Sequence, residues 1–176
     1  RKYLGGDKML MSEKTSNAID KIVQRMFYMN RICDNIVTNM SVNWSMNKAS
    51  EIFHKGIAHA YPLIADTYSE IQDQFNVKTN YLETPADTII YNTPLEAMQR
   101  ALDELLLTND IIIDAISIAK EEEDINVKVL LEKNLVNLTP YINQHILLRD
   151  KAALYGNDYA QFDNHFDDFF ILGGED

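Results

Sequence analysis

The sequence predicts an all-α protein, four long helices joined as two close pairs by one long connection. Three observations predict it. Apolar residues recur three and four apart over four separate stretches, the spacing that lines one face of a helix. Only 6 glycines and 4 prolines fall in 176 residues, so long segments run without a breaker. Periodicity is lost over a sizeable stretch only once, from about Asn76 to Asn92.

The first helix is read from Thr15 to Val42, with Ile19, Ile22, Met26, Met29, Cys33, Ile36 and Met40 as its buried stripe. The second runs from Met46 to Phe75 on Phe53, Ile57, Ala60, Ile64, Thr67, Ile71 and Phe75. Pro62 is a misfit there. It removes a backbone hydrogen bond and predicts a kink. Thr84-Pro85-Ala86-Asp87 and Asn92-Thr93-Pro94 then carry turn and cap chemistry, and Pro94 suits a first helical turn. The third helix follows from Pro94 to Lys120 on Leu95, Met98, Leu102, Leu105, Ile112, Ile116 and Ala119, with Asn109 interrupting the seam. The fourth is read from Glu122 to Tyr155, ahead of a capping Gly156, on Leu131, Leu135, Leu138, Ile142, His145 and Arg149. Residues 1–14 form a basic extension, 15–155 the helical body, and 156–176 an acidic, aromatic tail that folds back on it.

A few residues join helices one and two, and likewise three and four, so each pair is antiparallel. The stretch of about 17 residues between the pairs is long enough to run back along the body. One long crossover between two such pairs is the ferritin-like four-helix bundle.

Composition narrows the function. No apolar run approaches the roughly 20 residues that span a bilayer, and no N-terminal apolar block reads as a signal peptide. The one cysteine, Cys33, forms no intrachain disulfide, suits a reducing cytoplasm and falls on an apolar stripe as a buried, inert thiol. A net charge of −11 argues against DNA binding by the body of the protein. The first fourteen residues differ: Arg1, Lys2, Lys8 and Lys14 outnumber Asp7 and Glu13, so a basic arm stands on an acidic body.

The pair Glu51-x-x-His54 carries the chemistry. Carboxylate and imidazole three apart project from one helix face, and facing helices complete metal sites around such pairs. Alone the spacing is common, and a solvated Glu beside a hydrogen-bonded His explains it equally. Level with the pair in a bundle with one crossover lie Asp34, Glu96 or Asp103, and His145. His145 sits on an apolar seam, where a buried imidazole needs a partner. That partner is a metal, iron or else zinc, shared with the carboxylates, or else Glu51 or Tyr141 with no metal. His59 and His165 read as surface or interface groups.

From about Ile19 to Lys151 the chain resembles the Dps mini-ferritins, the DNA-protection proteins of starved bacterial cells. The resemblance rests on Asn43-Trp44-Ser45-Met46, His54 to Phe75, the Thr84-Pro85 turn, Leu95-Glu96-Ala97-Met98, Asn109-Asp110 and Ala119-Lys120-Glu121, in order and spacing. It implies a shell of about twelve subunits that oxidises and stores iron, protects against peroxide and in many members binds DNA without sequence preference. It also implies a ferroxidase site between subunits, from two histidines of one and an Asp and Glu of the other. Here Asn43 replaces the first His, His54 takes the second place with a one-residue gap, Ser69 stands for the Asp with Asp66 and Glu70 nearby, and Asp73 stands for the Glu. Asn is a poor iron ligand beside imidazole, so that site is degraded. The expected metal ligands are therefore Asp34, Glu51, His54 and His145 inside the bundle and Asp73 at the interface. The alternative function is a cytoplasmic, nucleoid-associated DNA-compacting protein without ferroxidase activity, working through Arg1, Lys2, Lys8 and Lys14.

Overall fold

Ser12 starts the first helix by accepting the Thr15 amide on its hydroxyl at 3.1 Å, which satisfies a donor the helix itself leaves open. The computed structural model describes residues 10–172, and these are all-helical apart from turns and connections. Helix α1 (Glu13–Thr38) continues as a π turn (Asn39–Asn43). Then come α2 (Asn47–Phe53), a second π turn (His54–Ala58), α3 (Ala60–Gln74), α4 (Pro94–Glu121), α5 (Ile125–Asn137), α6 (Thr139–Tyr155), α7 (Tyr159–Asn164) and a 3-10 turn (Phe166–Phe169). No described helix is long and apolar enough to cross a membrane.

All seven expected stripe residues of α1 are 0% exposed. Burying side chains of this size contributes roughly 1.5–3 kcal/mol each. The opposite edge of α1 is polar and equally regular. Asp20 accepts the Asn80 amide at 2.9 Å, and Gln24 donates to the Glu83 carbonyl. Arg31 donates to the Thr84 and Pro85 carbonyls at 3.0 and 3.1 Å, and Asn35 to the Ile89 carbonyl at 2.9 Å. Spaced four, seven and four apart, these side chains share a face. They hold the helix-free stretch 75–93 alongside α1 in the same direction.

Hydrogen bonds set the orientation of the other helices. Asn30 meets Ala58 while the Ser16 carbonyl and hydroxyl meet Gln72, so α3 runs antiparallel to α1. Arg25 donates to Glu104 and Thr108 while Asp124 accepts the Ser12 amide and Thr15 hydroxyl, so α4 runs antiparallel to α1 too. Arg149 near the end of α6 reaches Gln99 near the start of α4, and α4 packs on both α5 and α6.

Two expected helices are divided. Pro62 cannot donate to the Ala58 carbonyl, and Asn30 of α1 donates to it instead at 2.9 Å. The chain absorbs the misfit as a π turn and restarts at Ala60. The π turn adds one residue to the helical repeat, which shifts the buried stripe by one: Tyr61, Ala65, Tyr68 and Gln72 face the core, where Ala60, Ile64 and Thr67 were expected. The fourth expected helix breaks at Leu138, because Pro140 has no amide for the Val136 carbonyl and instead begins α6. Gly156 ends α6 at a φ of 56°, the left-handed region that favours glycine.

The tail packs back on the body. Phe162, Phe166 and Phe169 are buried, and the buried amide of Gln144 donates to the Phe169 carbonyl and accepts the Ile171 and Leu172 amides.

Candidate metal centre

Two π turns prepare this end of the molecule. In the first, Asn43 donates to the Asn39 side chain at 2.8 Å, and the chain reverses through Ser45, whose φ is 54°. The Met46 amide closes the reversal on the Met40 carbonyl at 2.8 Å. Asp163 of α7 then accepts the Ala49 amide at 2.7 Å, a carboxylate on the open amides that begin α2. Lys48 adds an ion pair to Asp167 at 2.6 Å, and Trp44 tilts against Tyr159.

So fixed, α2 delivers His54 against α1. His54 Nε2 stands 3.6 Å from Asp34 Oδ1, each side chain a little under half exposed. Oδ1 itself is shielded from solvent and has no hydrogen-bond partner. His59 lies beside them, its ring 4.3 Å from that of His54 between centroids. A borderline divalent ion suits this donor set of imidazole and carboxylate. Among the described residues, however, no three His, Cys, Asp or Glu side chains stand around a common point as a metal-holding group.

The other expected ligands lie apart. Glu51 is on the surface, where the Lys55 ammonium at 2.6 Å holds its carboxyl below the usual range. Three residues separate it from His54, but it points to its own helix neighbour. His145 is 1% exposed, with Nε2 2.8 Å from the Tyr61 hydroxyl and Nδ1 unpartnered. Its partner is neither Glu51 nor Tyr141. Tyr61 reached that place through the one-residue shift of α3. Desolvation pushes the His145 pKa down to about 4. Glu96 accepts the Asn92 amide ahead of α4, and Asp103 accepts from Gln99. Asp73 is exposed on a groove of about 510 Å³ that Ser69, Lys78, Thr79, Asn80 and Tyr81 also line. Ser69 donates to the Asp66 carbonyl of its own helix. Cys33 is buried as expected, and desolvation pushes its thiol well up, which leaves it protonated.

Of the five expected ligands, then, the structure brings Asp34 and His54 together. His59 is the neighbour that α-helical spacing did not reveal. It stands five positions after His54, a spacing that places two side chains on different faces of an α-helix; Gly56 and Pro62 were the signals that this helix departs from α geometry. Of the expected DNA-binding cations, Arg1, Lys2 and Lys8 lie outside the described residues. Lys14 belongs to α1 and pairs with Glu122 at 2.7 Å.

No family model and no curated protein matches this chain.

Proposed function

We propose that the chain is a ferritin-like subunit of the Dps type, which assembles into a shell of about twelve copies, binds and stores iron and protects against peroxide. The observation that carries the proposal is the crossover laid along α1 between two antiparallel helical pairs, the connectivity of bundles with one long crossover. Asp34 and His54 supply imidazole and carboxylate for Fe(II), and an acidic body raises the local concentration of cations. The interface ferroxidase position is weak in this reading, because Asn43 is occupied with Asn39 and Ser69 with its own backbone. Bound iron supplies the one-electron chemistry that consumes peroxide.

Assembly draws support from the surface. Phe162, Phe166 and Tyr91 are buried in the chain's own fold, whereas Tyr81 is 67% exposed. Exposed aliphatic side chains accompany it: Ile90 at 82%, Val42 at 77%, Leu154 at 74% and Val136 at 68%. Contact between copies would take these side chains out of water. DNA binding is proposed for the arm alone, through Arg1, Lys2 and Lys8, since Lys14 is engaged by Glu122. Twelve weak arms on one particle add by multivalency.

Light scattering on the purified chain, with iron loading followed by absorbance, tests the proposal. A particle of about twelve subunits that takes up iron in excess of its surface sites is the expected result. A monomer or dimer at micromolar concentration refutes the shell. Removing residues 1–9, which spares the Ser12 cap, is expected to abolish DNA retention at low salt. Equal retention refutes the arm.

A further inference from the structure

Residues five apart on an α-helix stand about 140° apart around its axis. The second π turn removes that separation. It closes with the His59 amide donating to the His54 carbonyl at 3.1 Å, so the two residues fall one above the other. Their rings stand 4.3 Å apart between centroids, at 60°. Asp34 faces His54 from α1, with Oδ1 3.6 Å from His54 Nε2.

That distance is too long for a hydrogen bond. It is close to the separation of two donors on one tetrahedral ion, which bonds of about 2.1 Å set at about 3.4 Å. Oδ1 also lacks any other partner, although it is shielded from water. A desolvated carboxylate oxygen without a donor is costly, and a cation between it and the imidazole removes the cost.

We infer that Asp34, His54 and His59 form a divalent-metal site within a single chain, built by the π turn and selective for borderline first-row ions such as Zn(II), Co(II) and Fe(II). Two imidazoles and one carboxylate suit such ions, and three protein ligands leave positions open to water or an oxidant. Closing the site requires His59, which is exposed, to turn about its side-chain torsions toward the Asp34–His54 gap. Glu51 has no part in it, being held by Lys55. The inference deepens the iron-handling reading and rests on it for the choice of ion. All three ligands belong to one chain, so binding is measurable whether or not the chains assemble.

The test is Zn(II) titration of the full chain by calorimetry, with Co(II) absorption as a coordination probe, on wild type, Asp34→Asn, His54→Gln, His59→Gln and Glu51→Gln. One ion per chain is expected. Affinity is expected to fall by about tenfold or more in each of the first three variants, with helicity retained, and to be unchanged in Glu51→Gln. Wild-type affinity in His59→Gln or in Asp34→Asn overturns the site. A monomeric chain that binds zinc through the three residues supports the site while removing the shell. A twelve-subunit particle whose zinc affinity ignores all three substitutions does the reverse.

Discussion

Acid should unfold this protein through one buried imidazole before its carboxylates protonate. His145 is 1% exposed and its pKa lies at about 4, against 6.5 for the free side chain. A histidine whose folded pKa is depressed contributes fully above 6.5, and the contribution is lost as pH falls from 6.5 towards 4, because the unfolded chain takes up the proton first. This depression corresponds to about 3 kcal/mol in full, and to about 2 kcal/mol by pH 5. Full burial means that solvent screening does not reduce it. The perturbation that isolates the effect is the double variant His145→Leu with Tyr61→Phe, which removes both members of the 2.8 Å contact and leaves neither polar group unpaired. Urea unfolding of wild type and variant at pH 7.5 and 5.0 gives the four free energies needed. Wild type is expected to lose about 2 kcal/mol more than the variant across that interval. Equal losses would refute the assignment of acid sensitivity to His145.

Other substitutions probe the joints of the fold. Asn30→Leu leaves the Ala58 carbonyl unpaired beside Pro62 and is expected to cost about 1–3 kcal/mol in urea unfolding. Arg100→Met removes the ion-pair partner of Asp87, whose side chain is 1% exposed and keeps the Asn35 amide as a donor, and is expected to cost about 3–5 kcal/mol, the largest loss of the set. Gly56→Ala puts a methyl group into the ring of Phe170, and is expected to cost about 1–3 kcal/mol and to speed proteolysis of the tail after Phe169. Unchanged proteolysis would show that the ring has room to move.

The first helix was legible from its sequence because nothing in it departs from the 3.6-residue repeat before the π turn at Asn39, and its apolar stripe is buried as read. The second was legible at Phe53, Ile57 and Ile71, which are buried as read, but not between Ile57 and Ile71. There the one extra residue of the π turn moves the stripe, and a reading that assumes constant periodicity picks Ala60, Ile64 and Thr67 in place of Tyr61, Ala65 and Tyr68. The metal candidates divided along the same line except for Glu51, which precedes the shift but is held by Lys55. Asp34 and His54 lie before the shift and meet. His145 was expected beside Glu51, but the shift supplies it with Tyr61. Helix breaking at Pro140 was likewise written in the residue but outweighed by the apolar spacing around it. The polar stripe of α1 was visible as Asp20, Gln24, Arg31 and Asn35, but spacing alone does not say what such a face touches.

What that stripe touches is mostly main chain. Gln24, Arg31 and Asn35 address the carbonyls of Glu83, Thr84, Pro85 and Ile89, and Asp20 addresses an amide. Where the segment is held by its backbone it is indifferent to its own side chains; Asp87 and Tyr91, which engage Arg100 through their side chains, are exceptions. The connection between the two helical pairs is therefore free to drift in sequence at positions such as Glu83, Thr88 and Ile90 while keeping its path. The constraint falls on the partner helix, where replacing a single one of those four side chains loosens several neighbouring residues together. Homologous connections would look unrelated when aligned except at positions such as Asp87 and Tyr91, and the helix beside them would carry the signature of the path.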